Sequence, residues 1–288
     1  MTSLLGSYCT ERNTTTTPKP PIKVKRPTLC LYLAAPSIIF SVFSTSAVQA
    51  TEEQEMVMGP PQGASIGAAY VSSNQSYRGL NADSVAVPFL GFEGQQFYIR
   101  GLTAGWYLQR DRQQQLAVTL NGELFRFRPT ESTDSQMQQL DRRNLSLTLG
   151  LQHRYSSRFG VFSSHLKTDI TGRHEGQLFN FRYGYPLNRP GQAWQVTPEV
   201  GFNYYSRSYI DYYYGVSAAE AQRSGFIAYK PSDAINPLVG VNVYRYFTPQ
   251  LSAITSYTIA RNDTSIRNSP MVQGRSTRSL FLAVSYRF

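Results

Sequence analysis

Three histidines are the side chains of this sequence best placed to exchange protons near neutral pH: His153, His165 and His174. A serine-type hydrolase needs an imidazole within reach of a serine hydroxyl and an acid to orient it. Ser163 and Ser164 adjoin His165, but neighbours along a strand point to opposite faces, which argues against a direct Ser164–His165 pair. Asp169 and His174, in the segment DITGRHE, offer an aspartate–histidine arrangement at a rim. Solvated polar residues are the plainer account, because residue types without geometry make only a hypothesis. The sequence has no HExxH or paired-cysteine spacing for a metal and no phosphate-cradling glycine loop. The expectation is a non-enzymatic protein with no catalytic, cofactor or metal residues, and a rim hydrolase ranks last among the alternatives.

The segments that carry these residues alternate. In residues 144–155, Leu145, Leu147, Leu149 and Leu151 interleave with Ser146, Thr148, Gly150 and Gln152. Leu116, Val118, Leu120 and Leu124 interleave with Thr119, Asn121 and Glu123, and Trp194, Val196, Val200, Phe202 and Tyr204 with Gln195, Thr197, Glu199 and Asn203. Residues 236–247 and 251–261 repeat the pattern more loosely. A period of two marks strands with one apolar face. Lengths of about ten residues suit strands tilted across a bilayer better than the usual soluble sheet. The final segment, SLFLAVSYRF, places Leu280, Leu282, Val284, Tyr286 and Phe288 on one face. Ending on phenylalanine, it looks like the closing strand of an outer-membrane barrel, with Tyr286 and Phe288 as the signal read by the barrel-assembly machinery. Taken alone, it also fits the last strand of a soluble sandwich.

Processing signals favour the membrane. Residues 28–44 are apolar, follow Lys19, Lys23, Lys25 and Arg26, and precede Val48-Gln49-Ala50, the layout of a secretory signal peptide. The expected division is a signal peptide with an extended basic region over 1–50, a flexible periplasmic lead-in over 51–62 and a barrel over 63–288. Both cysteines, Cys9 and Cys30, fall in the leader, so the exported chain needs no disulfide. Of the formal charge of +10, removal of 1–50 leaves 23 basic against 17 acidic residues, a dispersed +6 without the basic, aromatic-laced patch of a nucleic-acid binder.

Every backbone polar group in hydrocarbon must be paired internally, so strands in lipid have to close. Counting back from Phe288, turns at 248–250, 188–191, 156–158 and 110–114 are short and periplasmic. Residues 263–278, 208–235, 171–175, 127–143 and 72–83 form longer external loops. The alternation is kept only if 95–109 makes two short strands meeting near Gly101. The expectation is a closed antiparallel transmembrane β-barrel of about twelve strands, with ten as the alternative, in the outer membrane of a Gram-negative bacterium and with lipid around it. Arg100, Arg126, Arg182 and Arg245 are candidates to line the lumen, either favouring anions or pairing with Glu123 and Glu199, the latter being preferred. The tyrosines of 209–214 have three readings: an interfacial aromatic girdle first, then packing of a long loop over the mouth, then a ligand platform.

Several stretches together resemble the MipA/OmpV family of outer-membrane proteins. They are Pro88-Phe89-Leu90, then Gln96 through Gly101 (QFYIRG), Ala104 through Leu108 (AGWYL), and Asp169-Ile170-Thr171-Gly172 with Gly176. The segments WQVTPEVGF at 194–202 and YIDYYYGVSAAEA at 209–221 follow, the latter centred on Asp211, Tyr212, Tyr213, Tyr214 and Gly215. Ser269-Pro270-Met271-Val272 and Tyr286-Arg287-Phe288 complete the series. The resemblance covers 63–288; the long leader and the basic tract after Ser269-Pro270 depart from it. It implies a scaffold joining a lytic transglycosylase and a penicillin-binding protein to the outer membrane through the lead-in and the short turns, without a cofactor. A small-solute channel or uptake pore is the alternative.

Overall fold

The computed structural model describes residues 62–288, apart from Gln75, Asn81, Ala82 and 189–191. The leader and, save Gln62, the lead-in lie outside the described residues. Twelve antiparallel strands follow one another around a closed barrel. They are β1 (Gly63–Ser73), β2 (Asp83–Glu93), β3 (Phe97–Arg100), β4 (Thr103–Arg110), β5 (Gln114–Glu123) and β6 (Ser146–Ser157). The second half comprises β7 (Gly160–Asp169), β8 (Gln177–Gly184), β9 (Trp194–Tyr205), β10 (Ala234–Tyr246), β11 (Leu251–Arg261) and β12 (Ser276–Arg287). The expected pair of short strands around Gly101 is β3 and β4. Gly101 itself has φ near +60°, a conformation that a side chain would strain, and this permits the reversal.

β12 closes on β1 in a continuous register from Ser65↔Arg287 to Ser73↔Ser279, and the Phe288 N–H donates to the Ala64 carbonyl at 3.1 Å. At this seam Gly67 has no room for a Cβ, which would press into the Val284 carbonyl. Side chains alternate as the sequence requires. Ile66, Leu90, Leu149, Leu166, Val239 and Val284 are exposed on the outside, where lipid covers them. Thr119, Asn121, Thr148 and Asn236 are buried on the inside.

One end of the barrel has short turns. The other carries the loops L1 (74–82), L3 (124–145), L4 (170–176), L5 (206–233) and L6 (262–275), with the tight β3–β4 hairpin as L2 (101–102). L5 contains α1 (Arg207–Tyr214) and α2 (Ala218–Ser224), and L6 contains α3 (Thr264–Arg267). These loops leave the wall at widely separated points, yet they share one apolar core. It comprises Tyr77 of L1, Phe127, Met137 and Leu140 of L3, Tyr209, Ile210, Tyr213 and Val216 of L5, and Ile266 and Met271 of L6. Loops rooted on opposite sides of a ring can meet only by crossing its mouth. The long-loop end is therefore capped by a folded lid.

This arrangement corrects two expectations. The 209–214 tyrosines are not a girdle at the lipid interface. Tyr209, Tyr213 and Tyr214 are buried in the lid, because a helix, not a strand, carries them inward. Arg245 does not line the lumen. It shares the outward register of Val239, Val241 and Val243, and its guanidinium stacks 4.5 Å from the Trp194 ring at the turn end. Arg126 lies beyond the end of β5, within L3.

Candidate functional site

The inner wall is built around three carboxylates. Glu93, the last residue of β2, is almost fully buried and receives Arg100 at 2.9 Å and Arg110 at 3.1 Å. The Tyr107 hydroxyl donates to Glu93 at 2.8 Å, and Arg100 donates to that hydroxyl at 2.8 Å. Arg100 also stacks 4.2 Å from the Tyr98 ring, and the Tyr98 hydroxyl donates to Gln152 at 2.9 Å. Glu123, at the end of β5, binds Lys167 of β7 at 2.7 Å, and Thr148 donates to the same oxygen at 3.2 Å. Glu199 of β9 lies 4.0 Å from Arg182 and accepts from Asn242 at 2.8 Å.

The expectation of paired charges thus describes Arg182 with Glu199. Arg100 turns instead to Glu93, and Glu123 to Lys167. Neither Glu93 nor Lys167 was singled out by sequence reasoning. The signal was available, since Lys167 shares the inward parity of His165, and Glu93 that of Gly91, which faces Arg100 across the pairing of β2 with β3. Between these walls lies a cavity of about 340 Å³, lined by Tyr98, Arg100, Asn121, Glu123, His165 and Lys167 among others.

The histidines separate by face. His153 and Ser164 are register partners and share the outward parity of Leu151 and Leu166, whereas His165 points inward and meets the Thr119 hydroxyl at 2.8 Å. His174 lies under the lid, its Nε2 3.2 Å from Ser146 Oγ and its Nδ1 4.0 Å from Asp169. The order Ser–His–Asp invites comparison with a catalytic triad, but the hydrogen bonds assign it a structural task. His174 Nδ1 accepts the Gly176 N–H at 3.0 Å, so in the neutral ring the proton sits on Nε2 and points at Ser146, the reverse of what a general base needs. Asp169 instead accepts backbone N–H groups of Thr171, Arg173, His174 and Glu175 and shapes L4. Both His174 and Ser146 are buried.

That burial makes the lid sensitive to acid. Desolvation lowers the His174 pKa despite the pull of Asp169 and Glu123. The remaining groups packed on it are the tyrosine rings of 209, 212 and 213. With the folded value depressed, the unfolded state takes up the proton first. The stabilising contribution is complete above the ordinary histidine value of about 6.5 and declines as pH falls through it. The expected result is faster proteolysis of L4 and L5 at pH 5 than at pH 7.5, with the strands protected at both. A His174→Gln variant should flatten that difference, and an unchanged pH dependence in this variant would refute the assignment.

The lid rests on a second buried centre. Ser217 and Glu220 form a reciprocal capping box at the start of α2. Glu220 also accepts the Asp141 N–H at 3.0 Å and binds Arg143 at 2.7 Å, tying L5 to L3. Burial alone would raise the Glu220 pKa, but the N–H groups of Ser217 and Asp141 and the Arg143 guanidinium hold it below the ordinary value. Asp211 supplies the carbonyl that accepts the Gly215 N–H at 2.8 Å and ends α1. A Cβ at Gly215 would strike that carbonyl, so the glycine allows the chain to turn there. The Tyr212 hydroxyl accepts the Asn144 N–H of L3 at 2.9 Å. At the opposite end, Tyr286 and Phe288 point outward, with rings 5.6 Å apart.

The family model described as MltA-interacting protein MipA matches residues 66–288. The MltA-interacting protein of Escherichia coli K12 is 29% identical over 224 residues, which is 78% of this chain and 90% of that protein. The outer membrane protein YiaT of the same organism is equally similar, at 29% over 224 residues with the same coverage. Among solved structures, an outer membrane channel from Pseudomonas putida F1 covers 83% of this chain and all of its own, at 12% identity and a TM-score of 0.39.

Proposed function

The chain belongs to the MltA-interacting protein MipA family, and from that premise we propose that it is a non-enzymatic outer-membrane anchor for murein-remodelling enzymes. The enzyme bound first is a lytic transglycosylase, in keeping with the name of its Escherichia coli relative. A penicillin-binding protein is the second partner, joined through the first. The observation that carries this reading for the present chain is the lid. Four loops are committed to a shared core at the external end, which leaves the short-turn end and the lead-in over 51–62 as the surface offered to the periplasm. Turn residues Phe159 and Leu187 are exposed there. In this account the leader over 1–50 exports the chain, and the barrel-assembly machinery reads Tyr286 and Phe288.

Small-solute passage is the second reading, favoured by the charged cavity between Arg100, Glu123 and Lys167. A crosslinking pull-down from intact envelopes separates the two. Recovery of a transglycosylase or penicillin-binding protein, lost when 51–62 is deleted or Phe159 and Leu187 become serine, is the expected result. Recovery of assembly factors and porins alone would transfer the assignment to solute passage.

A further inference from the structure

β3 and β4 are too short to complete the wall. β2 pairs with β1 along its whole length, but with β3 only from Gly91 to Glu93. Beyond these, the Gly101 N–H donates to the Leu90 carbonyl at 3.0 Å, and the ladder ends. Among the described residues, no strand pairs with Ser84–Phe89 on the side facing away from β1. That unpaired edge runs roughly 20 Å at about 3.3 Å per residue.

The Leu90 bond identifies the even-numbered residues as those whose backbone groups face this side. Pro88 is one of them, and proline has no N–H to leave unpaired. A further strand paired there would lack this donor, which disfavours another copy of the chain as the occupant.

The gap is framed on all sides. The L2 hairpin forms its floor, where the Gly122 N–H donates to the Leu102 carbonyl at 2.9 Å. L1 and L3 form its lintel, with the Thr133 N–H donating to the Gly79 carbonyl at 2.9 Å and Ser132 Oγ to the Arg78 carbonyl at 3.0 Å. Two strands stand between β2 and β5, so the opening is about 14 Å wide at a strand spacing near 4.8 Å. An apolar band of about 25 Å corresponds to roughly ten residues of tilted strand. Measured upward from Phe92, it places Ser84–Pro88 in the outer half of that band. An exposed strand edge does not survive against hydrocarbon; it needs water from the lumen or a bound molecule.

The frame also determines what fits. Its inner jamb carries Val85, Val87 and Phe89, an apolar stretch on the lumen side of β2. Arg100, Thr103, Gly122 and Glu123 belong both to the sill and to the cavity beneath, which Lys167 also lines. The lining holds Arg100, Lys167 and Glu123, and with Glu93 and Arg110 directly behind Arg100 the group has three cations against two carboxylates, an excess of one positive charge.

We propose that this window is a lateral binding port for single-tailed amphiphiles with an anionic head. The tail lies against Val85, Val87 and Phe89, and the head sits in the cavity beside Arg100 and Lys167. The lid above directs entry sideways from the outer leaflet. The port is independent of docking at the turn end, so either assignment can fail without the other.

The test uses the full barrel in lipid nanodiscs with tryptophan reporters. The two native tryptophans, Trp106 and Trp194, are replaced by phenylalanine. A single reporter is then placed at the window as Val87→Trp, or as Phe89→Trp should the first variant not fold, with Val241→Trp on the outer face of β10 as the control. Brominated dodecanoate should quench the window reporter saturably, reversed by excess dodecanoate. The control should show only the linear quenching of bilayer partition. Brominated dodecyltrimethylammonium should bind the window about tenfold more weakly or worse, a difference of ~1.4 kcal/mol. Linear quenching at the window equal to the control, or equal saturation by both head charges, would overturn the proposal.

Discussion

Replacing Glu220 with alanine should release the lid from the barrel mouth while leaving the strands in place. The carboxylate has three partners: the N–H groups of Ser217 and Asp141 and the Arg143 guanidinium, the first of them completing the capping box of α2. Its removal leaves the Arg143 guanidinium facing the carbonyls of Asp141 and Gly215 and the Tyr212 ring, in a place where its side chain is 10% exposed. Breaking one half of a buried ion pair costs about 3–5 kcal/mol. No cysteine occurs in residues 62–288, so no disulfide within the described chain limits the damage. Limited proteolysis of the protein in lipid should cut L3 and L5 far faster in Glu220→Ala, with unchanged β-sheet circular dichroism. The double change Arg143→Met with Glu220→Leu should recover most of the protection, because it removes the orphaned charge as well as its partner. Cleavage of Glu220→Ala at the wild-type rate would show that the pair does not hold the lid.

Tyr213→Ala is the second large effect. The residue is fully buried, and its ring lies 4.7 Å from Phe125 of L3, 4.7 Å from Tyr209 and 4.8 Å from Tyr212. Its hydroxyl donates to the Asn144 carbonyl at 3.3 Å, and its own carbonyl accepts from Tyr77 of L1 at 2.8 Å. Truncating a buried aromatic to alanine costs about 3–5 kcal/mol through lost contacts and the cavity left behind. Tyr213→Phe isolates the hydroxyl, worth about 1 kcal/mol. The expected order of lid protection is wild type, then Tyr213→Phe, then Tyr213→Ala, with a wide second gap. Similar losses in the two variants would place the stabilisation in the hydrogen bond and not in the packing.

The strands were legible because a barrel wall writes itself as alternation. Leu145 through Leu151 and Leu280 through Phe288 show it directly, and the need for even strand number exposed the short β3–β4 hairpin at Gly101. The lid was not legible by that rule, since loops that cross a mouth have no period of two. A different signal was present. Tyr209, Ile210, Tyr213 and Tyr214 recur at helical spacing, and Ser217 with Glu220 followed by Gly225 spells a capped helix and its stop. Aromatic composition suggested a membrane girdle and masked that spacing. The lumen was half legible: inward parity identified Arg100, Glu123 and Glu199, but the choice among nearby partners depends on the stagger between strands. Arg245 shows the limit, because one position of parity separates a lumen charge from one stacked on Trp194 outside.

Under the proposed function, the lid caps the lumen, the periplasmic end is offered for docking, and no axial pore is open. Planar-bilayer conductance of the purified barrel tests it most directly, with Glu220→Ala measured alongside. The account predicts a silent wild-type barrel and stepwise conductance once the Glu220 link is cut. A stable open pore in the wild-type protein, unchanged in the variant, would contradict it.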